Sequence, residues 1–228
     1  MTIGMILFDN LTQLDLTGPY EVFWRMPNAK ILLVAETLAP VRADGGMRIL
    51  PDVTFANCPD LDILFVPGGY GTSAAMESKT TIDFLKKQGK RARYVTSVCT
   101  GALVLGAAGL LRGYRATTHW LSVDLLKLFN VQVIENQRIV IDRNRMTGGG
   151  VTAGIDFGLA LAANIFGENV AKEIQLMMEY NPKPPFNCGH PTTADKPILE
   201  KIMLEKRAVQ VKRKEQILNI IEKMNLDS

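Results

Sequence analysis

The chain of 228 residues is 47% hydrophobic and 21% charged, an ordinary globular composition with enough apolar residues to bury a sizeable core. Its net charge of +3 arises from residues 196–228, so the main body lacks the basic footprint of a nucleic-acid-binding protein. We expect no membrane segment, signal peptide or structural zinc, and the three widely spaced cysteines indicate a reducing, cytoplasmic setting without a disulfide framework.

The first half of the chain alternates predicted strands with predicted helices. In chain order we predict a strand at 2–8, a loop with Asp15, a short helix at Pro19–Met26, a strand at 30–36, a short strand pair within 47–55, a strand at 61–67, a helix at 80–91 and a strand at 92–98. Pro19 suits the first turn of its helix, where the missing N–H leaves no hydrogen bond unmade.

The second half continues the alternation. We predict a helix at 100–108, a strand at 115–118, a helix at 120–129, small strands within 132–147, helices at 152–166 and 168–180, a proline-rich crossing at 181–191 and a long helix at 195–223. Apolar strands alternating with helices favour a mostly parallel sheet covered on both faces. We therefore predict a single α/β domain over residues 1–228.

Three groups of residues with chemical potential follow predicted parallel strands, at the sheet edge where ligands bind in α/β folds. Asp15 follows the first strand, Gly68-Gly69 the third and Cys99 the fourth. The helix that begins after Cys99 points its free N–H groups toward the sulfur. We interpret Cys99 as a nucleophile in a tight strand-to-helix turn, with a thiol pKa below its usual value of roughly 8.5.

Each of these residues also has a purely structural interpretation. A lone cysteine is commonly a small buried hydrophobe. Asp15 lies between two leucines and could cap a turn or helix instead of moving protons with a raised pKa. The two glycines could form a simple turn instead of presenting N–H groups to an anion. His119 and Cys58 are interpreted as structural, and the role of Cys188 stays open.

Several longer motifs carry a resemblance to a known family. They are "QLDLTGPYEV" (13–22), "VPGGYG" (66–71), "ARYVTSVCTGALVLGAAGLLRGYRATTHW" (92–120), "TGGGVTAGIDFGLALAA" (147–163) and "EYNPKPPFNCG" (179–189). With them the chain resembles the DJ-1/PfpI superfamily, and within it the isonitrile hydratases, over nearly its whole length. The resemblance implies a flavodoxin-like three-layer sandwich with a cysteine nucleophile elbow.

The resemblance also implies a reaction, the hydration of an isonitrile to an N-substituted formamide. Cys99 would attack the terminal carbon and form a thioimidate, and Asp15 would act as acid and then as base. Thr100 would hydrogen-bond near the sulfur or Asp15, or would serve only as the first turn of its helix. No cofactor and no metal are implied.

Substrate binding is expected at backbone groups. Gly68 and Gly69 lie next to the site, and the N–H groups of Gly69 and Thr100 would stabilise the intermediate. By resemblance, the N–H of Val151 approaches the sulfur. Pocket shape would involve aromatic side chains, namely Tyr20, Trp24, Tyr70 and Trp120. The expected partners are a small isonitrile and a second copy of the chain, with the helix at 195–223 packing on the body or on that copy.

Two other functions are carried as alternatives. Related domains act as ligand sensors in transcription regulators, but the 30–40 residues after the proline-rich crossing are too few for two helix-turn-helix motifs. A stress-protective glyoxalase or chaperone-like role is the other alternative. Many members of the superfamily place His after the nucleophile and Glu after the first strand, whereas this chain has Thr100 and Asp15. That difference disfavours peptidase and glyoxalase chemistry.

Overall fold

A computed structural model describes residues 1–226. The strands are β1 (Thr2–Ile6), β2 (Lys30–Ala35), β3 (Val41–Arg42), β4 (Arg48–Ile49), β5 (Val53–Thr54), β6 (Ile63–Val66), β7 (Tyr94–Val98), β8 (Arg115–Ala116), β9 (Gln132–Val133), β10 (Ile139–Asp142) and β11 (Arg145–Gly148). The helices are α1 (Gln13–Phe23), α2 (Thr72–Glu77), α3 (Lys79–Gly89), α4 (Gly101–Ala107), α5 (Val123–Lys127), α6 (Ala153–Phe166), α7 (Glu168–Met177) and α8 (Lys196–Leu226), with a short 3₁₀ turn at Trp120–Ser122.

The central sheet has seven strands in the order β10-β11-β7-β6-β1-β2-β5. Only β10 runs antiparallel to its neighbour, and the other pairs are parallel. The central strands are apolar on both faces because helices cover both faces, and all four residues of β6 are buried. This arrangement confirms the predicted α/β fold class with a mostly parallel sheet.

Two hydrophobic cores lie on opposite faces of the sheet. One contains side chains of α3, α4, α5 and α8. The other contains side chains of α1, α6 and α7, with Phe23, Phe65 and Phe157 in mutual edge-on or tilted contact. The sheet between these two layers presents the carboxyl ends of β1, β6 and β7 along one edge.

The structure corrects several predicted boundaries. Asp15 is not in a loop, because α1 begins at Gln13 and places Asp15 in its first turn. Pro19 therefore lies inside the helix, and its ring packs against the backbone of Gly154 on α6. The region 47–55 does not form a strand pair of its own: β4 pairs with the unpredicted β3, and β5 joins the edge of the main sheet. Helix α2 was also not predicted.

Helix α8 lies across the body of the protein on α2, α4 and α5. Ile217 is fully buried in the core of that face. Polar contacts fix the rest of the helix: Lys206 donates to the Tyr70 hydroxyl at 3.0 Å and Arg213 to Ser73 Oγ at 3.3 Å. In the described chain, α8 thus packs on its own body.

Candidate active site

Cys99 occupies a strained turn between β7 and α4. Its φ of 53° is in the left-handed region, which non-glycine residues adopt infrequently. The turn is held by the backbone: the Cys99 N–H donates to the carbonyls of Gly148 and Gly149 at 3.0 and 2.8 Å, and the Cys99 carbonyl accepts from Thr118 Oγ1 at 2.7 Å. Gly101 permits the turn, because a Cβ there would lie 2.2 Å from the Val66 carbonyl oxygen.

Gly68 allows Asp15 and Cys99 to meet. A Cβ at Gly68 would lie 2.6 Å from the Thr100 nitrogen, 2.7 Å from Asp15 Oδ2 and 2.8 Å from Cys99 Cβ. The absence of a side chain at this position is what lets both functional groups approach the end of β6. The Gly68 N–H also orients the carboxyl group by donating to Asp15 Oδ2 at 3.1 Å.

Asp15 is fully buried and only half satisfied. Its Oδ1 has no hydrogen-bond partner among the residues described. Burial raises the pKa of Asp15 to about 7, with a smaller contribution from the charge of Asp44, against the lowering effects of Cys99 and the Gly68 N–H. The carboxyl group therefore changes charge near neutral pH, as a residue that moves protons requires.

The pKa of Cys99 differs from the prediction. Burial and then the charge of Asp15 raise the pKa of the thiol, although the N–H groups of Thr100 and Val151 act on the sulfur in the lowering direction. The prediction of a lowered pKa in the free protein is wrong because burial and a neighbouring carboxylate outweigh the start of a short helix. Both effects favour the thiol form of Cys99, with the Asp15 carboxyl group beside it.

Two of the three backbone donors expected near the sulfur, Thr100 and Val151, act on it, and the third, Gly69, does not. The Gly69 N–H is engaged by Thr100 Oγ1 at 2.9 Å. The same hydroxyl faces the Gly69 carbonyl at 3.2 Å and Thr72 Oγ1 at 3.5 Å, so Thr100 braces the loop after β6 through its side chain. Its hydroxyl forms no hydrogen bond to Asp15 or to the sulfur among the described contacts. The N–H groups directed at the sulfur are those of Thr100 and Val151.

A cavity of about 350 Å³ opens in front of Cys99. Tyr70, Trp120 and Val151 line it, as do Gly69 and Thr100. Tyr20 and Trp24 do not line this cavity; Trp24 is 52% exposed elsewhere on the surface. A volume of this size suits a small organic molecule.

His119 also lines the cavity. Burial, followed by the charge of Arg213, lowers the pKa of His119 to about 4. Its Nδ1 accepts from the Leu121 N–H at 3.2 Å, which caps the 3₁₀ turn. Cys58 is buried away from the cavity, and burial raises the pKa of its thiol to about 11. Cys188 is half-buried in the proline-rich crossing.

Helix α8 supplies one wall of the cavity, which the sequence interpretation did not anticipate. The wall consists of Ile202, Lys206, Val209, Gln210 and Arg213. A signal for Arg213 was present, since it lies four residues from both Val209 and Ile217 and so shares their helical face. Arg213 was not singled out because it lies in the basic segment "KRAVQVKRK" (206–214), where most of the charged side chains are exposed to solvent.

Two further structural findings concern ligands and membranes. Within residues 1–226, no group of three or more His, Cys, Asp or Glu side chains is arranged to hold a metal ion. Across the same residues, none of the helices combines the length and apolar character needed to traverse a lipid bilayer.

The left-handed turn at Cys99 is a strand-to-helix elbow, the kind of turn that presents an exposed side chain in one class of α/β proteins. Within that class the chain belongs to the DJ-1/PfpI family, whose model matches residues 1–164. The match includes the elbow, Asp15 and Val151, and it ends before α8 begins.

Individual relatives extend the comparison beyond residue 164. The isonitrile hydratase of Pseudomonas putida is 49% identical over 200 residues, which cover 88% of this chain and 87% of that protein. The HTH-type transcriptional regulator GbdR of Pseudomonas aeruginosa is 33% identical over 187 residues, covering 78% of this chain and 50% of the regulator. Among solved structures, a THiJ/PfpI family protein from Pseudomonas syringae matches with a TM-score of 0.92 and 44% identity, covering 95% of this chain and 90% of that one.

Proposed function

We propose that the chain is an isonitrile hydratase, which converts an isonitrile and water to an N-substituted formamide through a covalent thioimidate on Cys99. The observation that carries the proposal is the buried Cys99–Asp15 pair at Gly68, with Cys99 lining a mostly apolar cavity. The similarity to the Pseudomonas putida isonitrile hydratase supports the same activity. An isonitrile is small and weakly polar, with a terminal carbon open to a soft nucleophile.

In the first step Asp15 delivers the thiol proton to carbon. The Asp15 carboxylate takes the proton from Cys99 as the sulfur bonds to the terminal carbon of R–N≡C, and the electron pair left on that carbon takes the proton back from Asp15. The product is the thioimidate R–N=CH–S–Cys99, with Asp15 again ionised. The N–H groups of Thr100 and Val151 stabilise the sulfur while it carries negative charge.

In the second step Asp15 activates water. It takes a proton from water as the oxygen bonds to the thioimidate carbon, and this proton passes to the nitrogen. The tetrahedral species R–NH–CH(OH)–S–Cys99 then loses its sulfur: the C–S bond breaks, the hydroxyl proton moves through Asp15 to Cys99, and R–NH–CHO leaves. The unpartnered Oδ1 of Asp15 is the oxygen available for these transfers.

The test is hydration of cyclohexyl isonitrile by the purified protein, with the formamide detected by NMR and methylglyoxal assayed in parallel. We expect formamide from the parent protein and none above background from Cys99→Ala, whereas Cys188→Ala, outside the cavity, retains turnover. A thioimidate mass on Cys99 should accumulate at low water activity. Near-parent turnover by Cys99→Ala contradicts the covalent mechanism, and methylglyoxal turnover alone would favour the glyoxalase alternative.

A ligand-sensing role in regulation is the second candidate, and the similarity to GbdR favours it. The match covers half of that regulator, and in this chain the described residues after the proline-rich crossing form the single helix α8. Retention of duplex DNA at physiological salt, dependent on an isonitrile, would support regulation. Turnover without DNA retention supports the enzyme.

We also propose that the protein is a cytoplasmic homodimer. Three free cysteines support the reducing location. The outer face of α8 supports association, because Leu204 and Val211 are 71% and 51% exposed next to Ala208. Light scattering should give twice the chain mass of 25.2 kDa, and Leu204→Glu with Val211→Glu should halve the measured mass. A parent mass equal to one chain contradicts the dimer.

A further inference from the structure

Arg213 is a buried cation with no acidic partner. Only 5% of the residue is exposed, and burial lowers its pKa. Its Nε donates to Ser73 Oγ at 3.3 Å, and the two Nη groups have no hydrogen bond among the described contacts. Within residues 1–226, no carboxylate oxygen lies within ion-pair distance of the guanidinium. A buried charge without a partner raises the free energy of the folded protein, and an anion bound beside it would offset that cost.

The anion is not the catalytic carboxylate. Asp15 is held by the Gly68 N–H, and the sulfur faces the N–H groups of Thr100 and Val151. Arg213 is in the same cavity as Cys99, on the opposite wall formed by α8. Against the effect of burial, the charge of the sulfur acts on Arg213 to raise its pKa, but no hydrogen bond joins the two among the described contacts. The guanidinium therefore lines the space that a substrate would fill without a hydrogen-bonded anion.

A second unpartnered group lies one helical turn away. Gln210 lines the cavity, and its buried Oε1 has no hydrogen-bond partner in the described structure. The remainder of the α8 wall is apolar at Ile202 and Val209, while Lys206 is already engaged with the Tyr70 hydroxyl. Polar groups without hydrogen-bond partners in an apolar pocket wall are typical of a site that binds a polar group of its ligand.

We propose that Arg213 binds a carboxylate on the R group of the substrate, so that the preferred substrates are isonitriles that carry a carboxylate near the reacting carbon. The inference rests on the proposed hydratase function. The planar guanidinium pairs with a carboxylate through two parallel hydrogen bonds, which a neutral alkyl group cannot supply. Gln210 offers polar contact to the same end of the substrate. Cys99 and Asp15 then act on the other end.

The test compares isocyanoacetate with its methyl ester, which keeps the isonitrile but lacks the charge. In the parent protein kcat/KM should be higher for isocyanoacetate. Arg213→Met should reduce the ratio of the two kcat/KM values by about 100-fold, the scale expected when a buried charge-assisted contact is lost. Arg213→Lys keeps the positive charge but cannot form two parallel hydrogen bonds, so its ratio of kcat/KM values should lie between those of the parent and Arg213→Met.

The matched control is Lys214→Met, an exposed cation on the same helix outside both the cavity and the proposed dimer patch, which should leave the ratio within about twofold of the parent value. Circular dichroism and the Tm verify that each variant is folded. Equal losses on both substrates in Arg213→Met, or a parent preference for the ester, overturn the carboxylate assignment alone. If the parent protein hydrates neither compound nor cyclohexyl isonitrile, the proposed function fails and this inference fails with it.

Discussion

The elbow and helix α8 meet in one cavity but are held in different ways. The elbow is fixed by backbone hydrogen bonds and by glycines that leave no room for a side chain, and all of it lies within the residues matched by the family model. Helix α8 lies beyond that match and is fixed by side chains such as Ile217 and Lys206. The family model therefore covers Cys99 and Asp15 but not the wall that α8 contributes to the cavity.

The largest effect is expected from Asp15→Asn. It should reduce kcat/KM by about 10²–10⁴-fold, because the amide cannot take the thiol proton. In the parent protein kcat/KM should rise with pH through an apparent pKa of about 7, since only the ionised carboxyl is a base, and the variant should lose this step. Asp44→Asn is the control: it should keep the step but move it to lower pH. An unchanged parent-like profile in Asp15→Asn would remove Asp15 from the mechanism.

Gly68→Ala probes the rigidity of the elbow. The new Cβ would meet the Thr100 nitrogen, Asp15 and Cys99, so one of these must move. We expect a loss of about 100-fold in kcat/KM, the scale of a displacement of about 1 Å in a catalytic group. Gly45→Ala is the matched control, because a Cβ at Gly45 has no atom within 4 Å. Equal activity of the two variants would show that the elbow tolerates displacement.

Ile217→Ala probes the side-chain anchoring of α8. Removing this fully buried side chain should lower the protection of α8 amides against hydrogen exchange by about 2–4 kcal/mol while the β7 amides change less. Leu218→Ala, at a residue 47% exposed, is the control and should have little effect. Uniform loss of protection in α8 and β7 would mean that the helix and the elbow unfold as one unit.

The last prediction concerns how the stability of the protein depends on pH. Because the pKa of Asp15 is raised to about 7 on folding, the folded state holds a proton that the unfolded state has released between pH 4 and 7. The contribution of Asp15 to stability therefore falls as pH rises through this window. In urea unfolding, the free energy of unfolding of Asp15→Asn relative to the parent should increase by about 3 kcal/mol from pH 4 to pH 7. A constant difference across that range would contradict the raised pKa.

The local hydrophobic pattern of the sequence predicted many of the strands and helices. The apolar strands at 61–67 and 92–98, and the small-residue helix after Cys99, lie within a few residues of β6, β7 and α4. The start of α1 was missed because Pro19 is tolerated inside that helix, where its ring packs on Gly154. Strand β3 was not predicted, because its two residues are too few for a periodic signal.

The sequence predicted which residues lie together at the candidate site, but it did not predict the pKa of the Cys99 thiol. Cys99, Asp15, Gly68 and Val151 come together at one edge of the sheet, as parallel topology requires. The thiol pKa depends on burial and on the distance to Asp15, and neither can be obtained from the order of residues. Arg213 was not identified for a related reason. Its burial depends on which face of α8 packs against the body of the protein, and the sequence does not show that face.

The hydrogen bonds from the Cys99 N–H to Gly148 and Gly149 have a consequence for the growing polypeptide. A ribosome must synthesise some fifty residues beyond the cysteine before those acceptors exist. Until β11 is made, the Cys99 N–H lacks both acceptors, so the turn at the sulfur is completed only after every strand of the central sheet has been translated.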